Sequence, residues 1–312
     1  MTSHFTESTV EEAVREWTDG LAYAVLHGPE IAPGESAAER ESFSDVLLMG
    51  RLSDAIERIN PKVPDNARDE ALRRVLRTET PNLLENNRRF HRMLVDGIDI
   101  EYQAYGRTVH DKVWLIDFAK PDNNDWLAVN QFSISEGKHT RRPDVIMFVN
   151  GLPLVVIELK NAVDENATTK KAFDQLQTYK LQLPTLMTYN VCLVASDGIT
   201  ARIGTLTAGW DRFMPWRTTD GKEIASKGKP ELQTIIQGVF EKERFLDLIQ
   251  HFIVFEVDAG TIIKKMAGYH QFHAVNKAVD CTLRAVSPKG DRRDCSPENW
   301  LFHDLLATFS RS

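Results

Sequence analysis

The stretch Arg142-Pro-Asp-Val-Ile-Met-Phe-Val-Asn-Gly-Leu-Pro-Leu-Val-Val-Ile-Glu-Leu-Lys160 decides how this chain is read. Two short apolar runs, Asp144–Val149 and Leu154–Leu159, flank Asn150-Gly151, whose two residues both tolerate positive φ. The pattern predicts a β-hairpin. A turn centred on Asn150–Leu152 sets Asp144 nearly opposite Glu158, and cross-strand side chains lie ~5 Å apart. Glu158 and Lys160 are two residues apart and share a face, while Ile157 and Leu159 turn into the core. One face of the hairpin thus offers two carboxylates and one ammonium.

A Glu-x-Lys tripeptide on a strand is most often a solvated face. Leu154–Leu159 is almost wholly apolar, however, so Glu158 is expected in a central strand covered on both sides. An acid there is costly unless it is paired or functional. Two carboxylates held together in a partly dry cleft share a proton or bind a metal. Hard oxygen ligands without cysteine suit Mg²⁺, with Mn²⁺ as the alternative. Such an ion holds a phosphate oxygen, lowers the pKa of an attacking water and neutralises transition-state charge. Lys160 would orient that water or stabilise the pentacovalent phosphorus. The expected chemistry is phosphodiester hydrolysis.

Outward from the hairpin, strand-like runs cover Ile98–Ala104, Val113–Phe118 and Trp126–Ile134 before it, and Tyr189–Ala195 and Thr200–Gly204 after it. Helical periodicity predicts Thr169–Leu183 between these sets. It also predicts four earlier helical blocks: Ser8–Leu21, about 37–59, about 66–77, and Asn82–Val95. Ser8 and Glu11 have the spacing of a capping box at the first of these. Leu232–Phe240, Glu243–Phe252 and a long segment from about Thr261 to Ala285 complete the helices. The fold class expected is α/β: a mixed central sheet flanked by helices, with additional helices around it.

With 312 residues, 42% hydrophobic and 27% charged, the composition is that of a globular chain and excludes collagen-like, coiled-coil and wholly disordered readings. Cys192, Cys281 and Cys295 form no C-x-x-C pair, and the amino terminus has no secretory pattern. A cytoplasmic protein is expected, with no membrane partner, since no apolar run reaches ~18 residues. The net charge of −7 disfavours indiscriminate coating of nucleic acid. Residues 1–60 carry 12 acidic and 4 basic side chains, a net of −8, which leaves +1 for the remaining 252. Any DNA-binding surface is therefore local.

Pro143-Asp144, the gap to Glu158-Leu159-Lys160, and a following helix with Gln175-x-x-x-Tyr179 resemble the PD-(D/E)xK nuclease core. The form it resembles is the N-terminal endonuclease domain of the restriction (R) subunit of type I restriction–modification enzymes. Phe5–Gly34, Asn87-Arg-Arg-Phe-His91 and Tyr269–Val279 are similar to that family as well. The resemblance implies that Asp144 and Glu158 bind the metal with the Leu159 backbone carbonyl as a third ligand. It makes Lys160 the catalytic lysine and gives Gln175 and Tyr179 a supporting role, one helical turn apart. Related nucleases often add an acid from the first helix, where Glu11 is the closest match and Glu12 the runner-up. A capping role explains Glu11 equally well. Lys138, His139, Arg141 and Arg142 near the hairpin, and Lys170, Lys171 and Lys180 on the helix, are candidates for gripping phosphates, with Arg141 and Arg142 the better placed. Nothing suggests base-specific readout. The implied partners are double-stranded DNA and the methyltransferase (M) and specificity (S) subunits.

In the family, the segment like Tyr269-His-Gln-Phe-His-Ala-Val-Asn276 leads into an ATP-driven translocase. His270 and His273, at i and i+3, suggest metal ligands, but the resemblance favours a helix near an adenine pocket. A phosphate-binding loop, G-x-x-x-x-G-K-[ST], is expected after Gly290-Asp-Arg-Arg293 and is absent, so ATP binding is not expected of this chain. The domain expectation is an endonuclease domain over 1–257, with its catalytic core at about 98–205. A helical linker and the start of a truncated motor domain would follow over 258–312. Two alternatives remain open. One is a catalytically silent docking module for the methyltransferase–specificity core; the other is a stand-alone repair nuclease of the same fold.

Overall fold

The computed structural model describes residues 7–104, 106–160 and 168–286. The chain enters through α1 (Glu7–Asp19) and β1 (Ala24–His27), then α2 (Met49–Ile59), α3 (Asp65–Leu76) and α4 (Leu83–Asp96). A hairpin of β2 (Ile98–Ala104) and β3 (Arg107–Val113) follows, then β4 (Trp126–Asn130), β5 (Ile134–Glu136) and β6 (His139–Arg141). Next come β7 (Val145–Val149), β8 (Leu152–Leu159), α5 (Thr169–Gln182), α6 (Pro184–Thr188), β9 (Cys192–Ser196) and β10 (Ala201–Gly204). The described chain ends with α7 (Glu231–Val239), α8 (Lys242–His251), β11 (Ile253–Asp258), β12 (Thr261–Met266) and α9 (Tyr269–Val286).

Six strands form the central sheet in the order β1-β4-β7-β8-β9-β10. It is mixed: β1 runs parallel to β4, β8 runs parallel to β9, and the other neighbours are antiparallel. Helices flank it, as the α/β reading expects, with α5 as the crossover between the parallel strands β8 and β9. Every residue of β4, β7, β8 and β9 is buried, which explains their unbroken apolar runs.

The hairpin of β7 and β8 has a tighter turn than the sequence suggests, with Asn150 (φ 53°) and Gly151 (φ 74°) as its two central residues. A two-residue turn alone would pair Asp144 with Ile157. A β-bulge corrects this, because Met147 pairs with Val155 while Phe148 pairs with Pro153, leaving Leu154 as the extra residue. Beyond the bulge Val145 pairs with Ile157, so Asp144 comes opposite Glu158 after all. Asn150 is fully buried and pins the turn: its amide donates to the Leu115 carbonyl and to Asn124 Oδ1, and its Oδ1 accepts from the Asp125 N–H.

Several elements differ from the sequence expectation. The block at 37–59 is helical only from Met49, because Asp45 Oδ2 accepts from the Glu41 and Ser42 N–H groups and holds that segment in turns. The Val113–Phe118 strand is replaced by Arg107–Val113, since the Asn60 side chain bonds both backbone groups of Trp114. Trp126–Ile134 breaks after Asn130, where Gln131 takes φ 57°. The long helix expected from Thr261 begins instead as strand β12, turned back onto β11 by Ala259 (φ 46°) and Gly260 (φ 82°). α1 runs from Glu7, so the backbone of Ser8 lies within it. Gly290-Asp-Arg-Arg293 and Cys295 lie outside the described residues. Among the described residues, no helix is long and apolar enough to cross a membrane.

Candidate active site

Asp144 lies between Pro143 and the first residue of β7, and Glu158 is the penultimate residue of β8, two positions that the bulge aligns. Both acids are nearly inaccessible, Asp144 at 6% and Glu158 at 2%. A carboxylate survives at such depth only with donors around it. Asp144 Oδ2 accepts the Leu159 backbone N–H at 2.6 Å. Glu158 Oε1 accepts from Lys160 Nζ at 2.6 Å, and Glu158 Oε2 accepts from the Tyr179 hydroxyl at 2.9 Å. Lys160 remains partly exposed, with its ammonium at the rim and its carboxylate partner inside.

Tyr179 and Gln175 come from α5, which Thr168 caps through a hydrogen bond from the Lys171 N–H. Burial, and then the neighbouring Glu158 carboxylate, hold the Tyr179 phenol far above its ordinary pKa, while a side-chain hydrogen bond from Gln175 acts the other way. The phenol therefore stays protonated and serves as a fixed donor. The sequence-predicted residues Asp144, Glu158, Leu159, Lys160, Gln175 and Tyr179 thus meet in one cluster built by β7, β8 and α5.

Glu11 is buried on α1, and its two carboxylate oxygens accept the side-chain amides of Asn130 and Gln131. The Gln131 backbone N–H in turn donates to the Asp144 carbonyl at 3.0 Å. Glu11 therefore stands one strand removed from the cluster and is tied to it through β4. Glu12, the runner-up, points elsewhere: its side chain is 63% exposed and pairs with Arg15. Asn130 and Gln131 were not expected as part of the site. Their only trace in the sequence is the pair of amides ending a strand.

Of the basic candidates, Arg141 Nε donates to Gln182 Oε1 at 2.6 Å, and Arg142 is exposed. Lys170 forms an ion pair with Asp174, and Lys171 is exposed at the start of α5. Lys180 donates to Gln177 Oε1, and burial lowers its pKa to about 8. His273 packs at 5.9 Å from the Trp216 ring, with burial lowering its pKa to about 4. Among the described residues no group of three or more His, Cys, Asp or Glu side chains is placed to hold a metal ion.

The family described as type I restriction enzyme R protein N terminus matches residues 4–212, which contain this whole cluster. The chain belongs to that family. Among its relatives is the type I restriction enzyme HindI endonuclease subunit of Haemophilus influenzae, 39% identical over 92% of this chain and 28% of its own length. The putative type I restriction enzyme MjaIXP endonuclease subunit of Methanocaldococcus jannaschii is 32% identical, over 89% of this chain and 28% of its own. The type I restriction enzyme EcoprrI endonuclease subunit of Escherichia coli is 28% identical over 49% of each chain. This R-protein N terminus spans between a quarter and a third of the first two relatives.

Proposed function

We propose that this chain is the Mg²⁺-dependent endonuclease domain of a type I restriction enzyme R subunit, hydrolysing phosphodiester bonds of double-stranded DNA at a PD-(D/E)xK site. The observation that carries the reading is the buried pair Asp144 and Glu158, brought opposite each other by the bulged hairpin with Lys160 on Glu158. Their oxygens suit a hard cation. Within an extended strand a residue's N–H and C=O point the same way. The Leu159 N–H reaches Asp144, so its carbonyl is directed to that side as well, which supports Leu159 as the third oxygen ligand. Mg²⁺ (or Mn²⁺) held there would act as a Lewis acid on a phosphate oxygen and supply an activated water. The chain's own groups do the rest. Lys160 offers a donor to the attacking water or a phosphoryl oxygen, and Tyr179 fixes the Glu158 carboxylate with Gln175 bracing the phenol. Glu11 steadies the Asp144 strand through Gln131.

Arg141 and Arg142 beside the hairpin, and Lys170 and Lys171 on α5, would meet the DNA phosphates. Within a complete enzyme, the M and S subunits would supply sequence recognition. The test is cleavage of plasmid DNA by the chain with Mg²⁺, compared with Glu158→Ala. Loss of cleavage in the variant is expected, and equal cleavage by both proteins rejects the reading. The competing outcome is a docking module for the M–S core that does not itself turn over. Co-purification with M and S subunits, without metal-dependent cleavage, would select it.

A further inference from the structure

A second charged feature lies away from the carboxylate cluster. Between α4 and the hairpin of β11 and β12 runs a cleft of about 360 Å³, lined by Arg88, Arg89, Arg92, Glu85 and the hairpin residues Val257 and Ile262. Arg89 is already committed, to Glu79 and to the carbonyls of Arg74 and Arg77. Arg88 and Arg92 are not: they sit one helical turn apart on α4, and neither side chain has a hydrogen bond or ion pair within the described residues. Arg92 is exposed and Arg88 is half-buried, so both guanidinium groups keep their donors available to an acceptor that enters the cleft. Glu85, also on this wall, does not pair with either one.

The fold fixes this wall firmly. Asn87, next to Arg88, is fully buried and donates to the carbonyls of Met187, Thr188 and Asn190. Its Oδ1 accepts from Lys264 Nζ of β12. One side chain therefore locks α4 to both the sheet and the hairpin. Asn190 precedes β9, whereas Glu158 pairs with Ala195 near the far end of that strand. Five residues at ~3.3 Å each put Asn190, on which Asn87 of α4 is anchored, roughly 16 Å along the chain from the residue level with Glu158.

We propose that this cleft is a phosphate-binding site that takes the sugar–phosphate backbone of duplex DNA at a place separate from the hydrolytic centre. Two guanidinium forks set one turn apart match oxyanions repeated along a strand. The aliphatic hairpin wall carries no aromatic ring to stack a base, which favours a polymer backbone over a free nucleotide. The choice of DNA rests on the function proposed above, and the experiment keeps the two readings apart.

The full chain and an Arg88→Ala/Arg92→Ala variant are titrated against a fluorescent duplex over a series of salt concentrations, and separately against inorganic tripolyphosphate by calorimetry. The variant is expected to bind the duplex roughly tenfold more weakly at moderate salt, with a log–log salt slope shallower by about 2. Glu158→Ala, by contrast, retains that binding. If Glu158→Ala cleaves as well as the parent while the arginine variant loses binding, the cleavage assignment falls and this site stands. Unchanged duplex affinity and slope in the arginine variant overturn the proposal, as does a parent chain that binds no duplex at low salt. Loss of tripolyphosphate binding alone, with duplex binding intact, overturns duplex DNA as the ligand.

Discussion

The Tyr179 hydroxyl donates to Glu158 Oε2 at 2.9 Å, a contact that joins the crossover helix to the most buried acid of the sheet. Lys160 occupies the other oxygen of the same carboxylate, so the side chain cannot swing without losing a donor. A buried carboxylate held from two sides is pre-organised, and its orientation needs no rearrangement when a ligand arrives.

Tyr179→Phe removes one of these two donors and leaves the ring in its buried slot. The expected result is a loss of cleavage of about tenfold to a hundredfold, with stability lowered by about 1 kcal/mol. Plasmid cleavage assays alongside urea unfolding separate the two effects. Full activity in the variant would show that Tyr179 serves packing only.

The turn that aligns the site is as constrained as the site itself. Gly151 has φ 74°, and a Cβ there would meet the Leu48 carbonyl oxygen at 2.4 Å. That oxygen belongs to backbone and cannot step aside. Gly151→Ala is therefore expected to destabilise the protein by about 2 kcal/mol or more, read as a lowered urea midpoint with an unchanged slope. A neutral substitution would contradict the close packing of α2 on the hairpin.

Much of the site was legible in the chain because its residues lie on a short hairpin and the helix that follows. Alternation put Glu158 and Lys160 on one face, and the helical period put Gln175 and Tyr179 on another, with no long-range information needed. The pairing of Asp144 with Glu158 was anticipated for a different reason from the real one. The sequence suggests a three-residue turn, whereas the protein uses a two-residue turn and a bulge at Leu154, and the two errors cancel. The β11–β12 hairpin was hidden because Thr261–Met266 has no flanking Asn-Gly and merges with a genuinely helical stretch after Gly268. The link from Glu11 through Gln131 to the Asp144 strand was also invisible. It joins residues 120 positions apart, and no local pattern records that.

His91 supplies a pH-dependent prediction. It is buried on α4 with its Nδ1 unpartnered, its ring 5.3 Å from Phe255, and the Lys264 ammonium close by. Burial, and then Lys264, lower its pKa to about 3 from the ordinary 6.5. The unfolded chain binds this proton below about 6.5 and the folded chain only near 3, so stability falls as the pH drops through that interval. Replacing the imidazole by an apolar group, as in His91→Leu, is expected to flatten that acid limb. Between pH 7 and 4.5 the parent should lose roughly 2 kcal/mol more than the variant in urea unfolding. Parallel pH profiles would show that His91 titrates in the folded protein as it does in water.

Glu11 distinguishes a supporting acid from a ligand. Its oxygens are engaged by the Asn130 and Gln131 amides, and the Gln131 backbone links it to Asp144. Glu11→Gln keeps the shape but turns one acceptor into a donor facing amide N–H groups, so Gln131 is expected to shift and cleavage to drop by about tenfold. Glu158→Ala should be far more damaging. The Mg²⁺ concentration giving half-maximal cleavage separates the two roles: a positioning Glu11 leaves it within a few-fold of the parent value. A rise of two orders of magnitude in Glu11→Gln would instead make Glu11 a metal ligand and refute the indirect role argued from the β4 network.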